Sequence, residues 1–159
     1  MRITLGDAVS VGVPLAVGGV GGVATVSSLQ SWYRTLEKPA WNPPDAVFGP
    51  VWTTLYLLMG VALALARRAS PDGGRRRVEA VFGLQLALNL AWSFAFFSGR
   101  NPAAGVAVIL VLWASIVATI LSFGRVSRVA ALLLLPYLAW VTFATVLNVE
   151  IWRLNAPSR

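Results

Sequence analysis

Apolar residues run along this chain in long blocks, and its charged residues gather in the gaps between them. Each block is apolar on every side, so it lacks the alternation of a barrel or half-buried strand. Crossing roughly 30 Å of hydrocarbon takes about 20 helical residues at about 1.5 Å each. Five blocks reach that length, at about 7–28, 46–66, 79–98, 103–124 and 129–153. The pattern predicts an all-α integral membrane bundle of five transmembrane helices forming one domain over residues 1–159. Arg2 ahead of an apolar, glycine-rich stretch resembles the start of a secretory signal, but no A-x-A-type cleavage site follows, so the stretch reads as the first span.

Three of the four gaps are brief, which makes consecutive spans antiparallel neighbours. The gap from Arg67 to Arg77 holds Ser70, Pro71, Asp72, Gly73 and Gly74, turn formers that read as a connector. The gap at about 30–45 differs, being too polar to span and too aromatic for a passive linker. Its Pro39, Pro43 and Pro44 fix their own φ and push the preceding residues into extended conformations. A stiff, largely non-helical cap is expected, with Pro44 and Asp45 opening the second span. Its Trp32, Tyr33 and Trp41 read either as an interfacial aromatic belt or as a lid over the bundle.

Only 12% of the 159 residues are charged, against about 25% in a soluble domain. The net charge of +7 comes from arginines in the gaps, which the positive-inside rule explains better than nucleic acid does. Arg2, Arg67, Arg68, Arg75, Arg76, Arg77, Arg125 and Arg128 share one side of the membrane, and Arg34, Lys38, Arg100, Arg153 and Arg159 the other. The bias predicts a cell-membrane protein with its N-terminus cytoplasmic and its C-terminus and 30–45 loop outside. The chain has no cysteine and no histidine, so its side chains offer no thiol chemistry, disulfide, imidazole-ligated haem or histidine-based zinc site, and no metal site is expected. The six acids form no close pair for general acid–base work, and Glu150 with Arg153 reads as a helix-end ion pair. No phosphate loop precedes a helix and no nucleophile has a base beside it, so no catalytic residue is assigned and a conventional enzyme is not expected.

Residues three, four, seven or eight apart share a helix face. Phe48, Trp52, Tyr56 and Met59 make such a stripe on the second span, and Gln85, Asn89, Trp92 and Phe96 on the third. Tyr137, Trp140, Ala144 and Asn148 make one on the fifth. Polar residues at membrane depth face the interior, so Gln85, Asn89 and Asn148 are expected to point onto one shared space. They serve there either as packing glue or as the orienting groups of a pocket for a flat, hydrophobic ligand. Gly18 and Gly22 form a G-x-x-x-G pair, and Ala87, Ala91 and Ala95 a small stripe opposite the polar one. These faces serve packing within the bundle or a homodimer contact. The fourth span shows nothing beyond spanning.

Three motifs occur in order: Lys38-Pro39-x-Trp41-x-Pro43-Pro44 leading through Phe48 to Gly49-Pro50-Val51-Trp52-Thr53-Thr54-Leu55-Tyr56; Gln85-Leu86-Ala87-Leu88-Asn89-x-Ala91-Trp92; and Pro136-Tyr137-Leu138-Ala139-Trp140, continuing through Ala144-Thr145 to Leu147-Asn148 and Trp152-Arg153. Over nearly its whole length the chain resembles the TspO/MBR family, the tryptophan-rich sensory proteins and the translocator proteins or peripheral benzodiazepine receptors. The resemblance implies a five-helix membrane bundle, commonly dimeric, that needs no cofactor. It implies binding of tetrapyrroles such as protoporphyrin IX and, in animal members, of cholesterol and benzodiazepine-type ligands. By motif position the cavity would involve Trp41, Phe48, Trp52, Asn89, Trp92, Trp140, Ala144 and Asn148, to which the stripes add Tyr56 and Tyr137. The expectation is a receptor or carrier with a sensory or transport role. Its alternatives are a light-dependent porphyrin-degrading enzyme and a structural or regulatory partner of other membrane proteins. Two departures limit the transfer: Val149 and Glu150 stand where the sterol motif needs a tyrosine, and Ala40 stands where many bacterial members have a second loop tryptophan.

Overall fold

A computed structural model describes residues 4–156; Arg2 and Arg159, used in the charge count above, lie outside them. The elements in order are α1 (Leu5–Leu29), α2 (Trp32–Thr35), α3 (Asp45–Ala69), α4 (Asp72–Ser93, continued by a π-helical turn Phe94–Ser98), α5 (Pro102–Gly124), α6 (Arg128–Leu132) and α7 (Leu135–Leu154). No strand occurs among the described residues. Five helical segments are long and apolar enough to cross a membrane: Leu5–Leu29, Asp45–Ala69, Gly73–Ser98, Pro102–Gly124 and Arg128–Leu154. They are the five blocks of the sequence, and the chain is a multi-pass membrane protein.

The helix ends follow from local chemistry. Thr4 and Asp7 form a reciprocal capping box on α1, the Asn101 side chain accepts from the Ala104 amide ahead of α5, and Ser127 caps α6, each satisfying an orphan N–H of a first turn. Three boundaries differ from expectation. The Arg67–Arg77 connector shrinks to Ser70 and Pro71, because Pro71 caps α4 and Gly73 and Gly74 fall within the helix. Proline suits a helix start, where its missing N–H costs nothing, and Glu79 anchors the new turn by accepting from Arg75 at 3.3 Å while lying 2.8 Å from Arg67 Nε. The 30–45 loop is non-helical around its prolines as expected, with a tight turn in which the Asn42 N–H donates to the Pro39 carbonyl (2.9 Å), but ahead of them Trp32–Thr35 coils into one helical turn. That turn drops Tyr33 against Phe96 and Phe97, with ring centroids 6.3 and 5.9 Å apart. The fifth span breaks into α6 and α7 around Leu133 and Leu134, because Pro136 cannot donate to the carbonyl four residues back and its ring crowds that carbonyl.

Helix α1 lies on α3 and α4, α4 packs on α5, and α5 on α7. Met59, Ala62, Ile109, Leu112, Ile116, Phe123 and Val141 are fully buried between them. One end of the bundle is lashed by arginine: Arg67 Nη1 donates to the Gly6 carbonyl (3.0 Å) and to Ser10 Oγ (2.7 Å), and Arg68 pairs with Asp7. Of the alanine stripe, Ala87 and Ala91 are exposed on the outer surface of α4 and Ala95 is half-buried.

Candidate functional site

The polar stripes meet as a hydrogen-bonded ladder across α3, α4 and α7. Tyr56 Oη donates to Asn89 Oδ1 (2.5 Å), Asn89 Nδ2 to Tyr137 Oη (3.1 Å), and Tyr137 Oη to Gln85 Oε1 (2.9 Å), while Gln85 Nε2 lies 3.9 Å from Met59 Sδ. Asn148 stands apart from it. It accepts from the Trp92 indole (3.1 Å) and donates to the Pro102 carbonyl (3.0 Å), joining α7 to α4 and to the start of α5. The three amides expected on one space therefore divide into two bridges, and each is spent on protein groups. Contacts of this kind are worth roughly 0.6–2 kcal/mol each in a bilayer, which fixes the register of the helices.

Two aromatic groups flank the ladder. Trp52 is the hub of the first, 5.7 Å from Tyr56, 6.0 Å from Trp92 and 6.3 Å from Tyr137. The second sits nearer the loop, where Phe48 meets Trp140 (6.1 Å), Trp140 meets Phe143 (5.3 Å), and Phe143 meets Trp41 (5.8 Å). Trp41 remains 47% exposed, and Trp140 Nε1 is buried without a hydrogen-bond acceptor among the described residues.

A cavity of about 450 Å³ lies between α1 and the face of α3 and α4 that carries Phe48, Trp52, Tyr56 and Trp92. Its opposite wall is the glycine run of α1, Gly18, Gly19, Gly21 and Gly22. The run does two jobs. A Cβ at Gly18 would stand 2.3 Å from the Tyr56 ring, so there the helices touch, whereas one at Gly22 would meet nothing within 4 Å, so there the slot opens. Gly19, Val26, Ala46, Gly49 and Thr53 on its rim are exposed, so the slot opens sideways onto the outer surface of the bundle. A cavity with one backbone wall and one wall of rings is suited to a planar, largely apolar molecule, and its volume is in the usual range for small-molecule sites, about 300–1,000 Å³.

Of the ten candidate residues, Phe48, Trp52, Tyr56 and Trp92 line this cavity. Asn89 and Tyr137 form the ladder behind Trp52, Trp41 and Trp140 belong to the loop-side aromatic group, Ala144 is buried one turn beyond Trp140, and Asn148 braces α5. Sequence reasoning missed the part of α1 as a wall, although four glycines within residues 18–22 were there to be read as space as well as contact. It also missed Asn155, which accepts from the Glu37 amide (2.9 Å) and donates to the Glu37 carbonyl (2.8 Å), pinning the loop to the end of α7. Inside the loop, Lys38 Nζ donates to the carbonyls of Tyr33 (2.7 Å) and Leu36 (2.9 Å), and Tyr33 Oη donates to Asn42 Oδ1 (2.8 Å).

Comparison with known proteins gives one consistent result. The profile of the TspO/MBR family matches residues 10–153. The chain is 48% identical over 149 residues to a tryptophan-rich protein TspO of Chlorobaculum tepidum, covering 93% of this chain and 94% of the relative. It is 41% identical over 138 residues to a tryptophan-rich sensory protein of Cereibacter sphaeroides, covering 85% of each. With the human translocator protein it shares 42% identity over 127 residues, 78% of this chain and 75% of that one.

Proposed function

The chain belongs to the TspO/MBR family, and on that premise we propose that it is a membrane receptor or carrier for flat tetrapyrroles, which it binds in the slot between α1 and the aromatic face of α3 and α4. One observation carries the reading: a glycine backbone wall faces Trp52, Tyr56 and Trp92 across about 450 Å³. A macrocycle gains ring stacking on one side and close van der Waals approach to backbone on the other. The lateral opening supports entry from the bilayer, into which the apolar ring of such an amphiphile partitions. Relatives named as translocator and sensory proteins support a role in transport or signalling.

The test is a titration of the purified protein with protoporphyrin IX, followed by its own tryptophan fluorescence. Saturable quenching is expected, and both Trp52→Ala and Gly22→Phe should weaken it, the first by removing a stacking ring and the second by filling the slot. Non-saturable quenching, or equal affinity in both variants, refutes the reading. The arginine bias further supports an N-terminus in the cytoplasm and the 30–45 loop outside. Because the chain has no cysteine, Arg76→Cys and Thr35→Cys give clean reporters. An impermeant maleimide added to intact cells should label the second and not the first, and the reverse pattern would overturn the orientation.

A further inference from the structure

The slot is uncharged along its length except at its loop-side end, where Asp45 joins the lining as the first residue of α3. Its carboxylate accepts no hydrogen bond and has no arginine or lysine nitrogen within 4.0 Å among the described residues. The loop's own cation is occupied elsewhere: Lys38 Nζ donates to two carbonyls and lies over the Tyr33 ring, 4.9 Å from its centroid.

The remaining polar groups of the wall have the same sense. Thr25 Oγ1 donates to the Gly21 carbonyl (2.9 Å), Thr53 Oγ1 to the Gly49 carbonyl (2.9 Å), and Ser93 Oγ to the Asn89 carbonyl (3.3 Å). Tyr56 Oη donates to Asn89 Oδ1. A carbonyl only accepts, so each of these hydroxyls has spent its proton and presents lone pairs to any further partner. The Trp52 indole is the one side-chain donor on the wall with no partner among the described residues. It sits seven residues beyond Asp45, about 10 Å further along the helix axis. The slot therefore offers hydrogen-bond acceptors, the Trp52 indole donor, and at its mouth one carboxylate with no cationic side chain beside it among the described residues.

We propose that Asp45 makes the slot charge-selective, favouring flat amphiphiles that present a cationic or N–H-donating group at the loop end and disfavouring those that present an anion there. The inference rests on the ligand-binding reading above and deepens it. A dicarboxylate such as protoporphyrin IX enters with its carboxylates away from Asp45 or at a loss, whereas a ligand amine at that end gains a charge-assisted hydrogen bond. At a partly solvated mouth such a bond is worth about tenfold in affinity.

The experiment titrates the protein, held in zwitterionic nanodiscs, with three probes of one ring system. They are protoporphyrin IX, its dimethyl ester, and the bis-amide carrying two tertiary amines. The expected order of affinity is amine, then ester, then acid, spanning at least about tenfold. In Asp45→Asn the spread should collapse, and Asp45→Lys should reverse the order, each affinity being read as its ratio to that of the ester in the same variant. If all three probes bind saturably but their ratios do not move with residue 45, the charge selection is wrong and the ligand-binding reading stands. If none of the three binds saturably, the ligand-binding reading itself fails.

Discussion

Gly18→Ala is the sharpest test of how α1 meets α3. The added methyl carbon would stand 2.3 and 2.4 Å from two carbons of the Tyr56 ring and 2.9 Å from a third, where carbon atoms in contact lie about 3.5–4.0 Å apart. Relief requires the ring or the helix to retreat by about 1 Å or more. The ring is not free to do so, because its hydroxyl is bonded to Asn89 at 2.5 Å and its face lies against Trp52. Overpacking of this kind costs about 1–3 kcal/mol. Stretching the Tyr56 bond leaves the buried Asn89 oxygen short of a donor, at about 1–3 kcal/mol more, while alanine's better helix propensity returns about 1 kcal/mol. The net loss is about 1–5 kcal/mol, and at about 2–4 °C per kcal/mol for a domain of this size the melting temperature in detergent should fall by roughly 2–20 °C. Gly22→Ala, four residues on in the same G-x-x-x-G pair, meets nothing within 4 Å and should be neutral or slightly stabilising. Adding Tyr56→Leu to Gly18→Ala should recover part of the loss, because the smaller side chain vacates the space. Equal melting temperatures for the two glycine variants would show that the face is read wrongly.

Arg100 carries φ 50°, the left-handed region that a non-glycine residue enters at about 1–2 kcal/mol, so Arg100→Gly should raise the melting temperature by a few degrees; a fall would mean that the arginine side chain is needed. Asn155→Ala removes both bonds that pin Glu37, and amide exchange at residues 36–38 should quicken several-fold while the helices keep their protection. Burial pushes the Tyr33 phenol above its usual value near 10, the Asp45 charge adds to the rise, and the Asn42 hydrogen bond opposes it. Because the folded value lies above the unfolded one, the support Tyr33 gives the loop is complete below about pH 10 and fades only as pH climbs further. Proteolysis of the loop should follow that course, and Tyr33→Phe should abolish the dependence.

The spans were legible because uninterrupted apolar blocks leave the backbone no alternative to helix in a bilayer. Their ends were less so. Gly73 and Gly74 look like turn formers, yet they continue α4 because Pro71 supplies a cap and Glu79 gathers Arg75 on its own helix and Arg67 from across the connection. Nothing local distinguishes a turn from a helix start when the deciding partner sits on another helix. The aromatic stripes were read correctly as interior, since spacing alone places Trp52 beside Tyr56. Which side of that stripe would be solid and which hollow was not legible. The amides look like ligand hooks in sequence, but Asn89 and Gln85 are consumed by two tyrosines on other helices. Asn155 was invisible for a related reason: it acts on a loop backbone 118 positions away.

The slot is a wedge whose width is set far from its mouth. Going along α1 toward the loop, a Cβ built at its partner glycine Gly60 would stand 2.6 Å from the Val11 Cα, one at Gly18 would reach a side-chain ring, and one at Gly22 would reach nothing. The two helices are thus in backbone contact near the arginine end and separate toward Asp45. Backbone atoms cannot rotate aside as a side chain can, so Gly60→Ala must push α1 from α3 as a unit. That displacement widens the slot without touching any residue of its wall. A gap of about 0.5–1 Å forfeits roughly a quarter to a half of the dispersion energy across it. With stacking pairs worth about 0.5–1.5 kcal/mol each, the loss is about 1 kcal/mol, or about fivefold in affinity for a planar ligand. Protoporphyrin IX titrated against Gly60→Ala should show that weakening along with a lowered melting temperature. Unchanged affinity alongside a lowered melting temperature would mean that the slot holds its width independently of this contact, and that the aromatic wall alone defines the site.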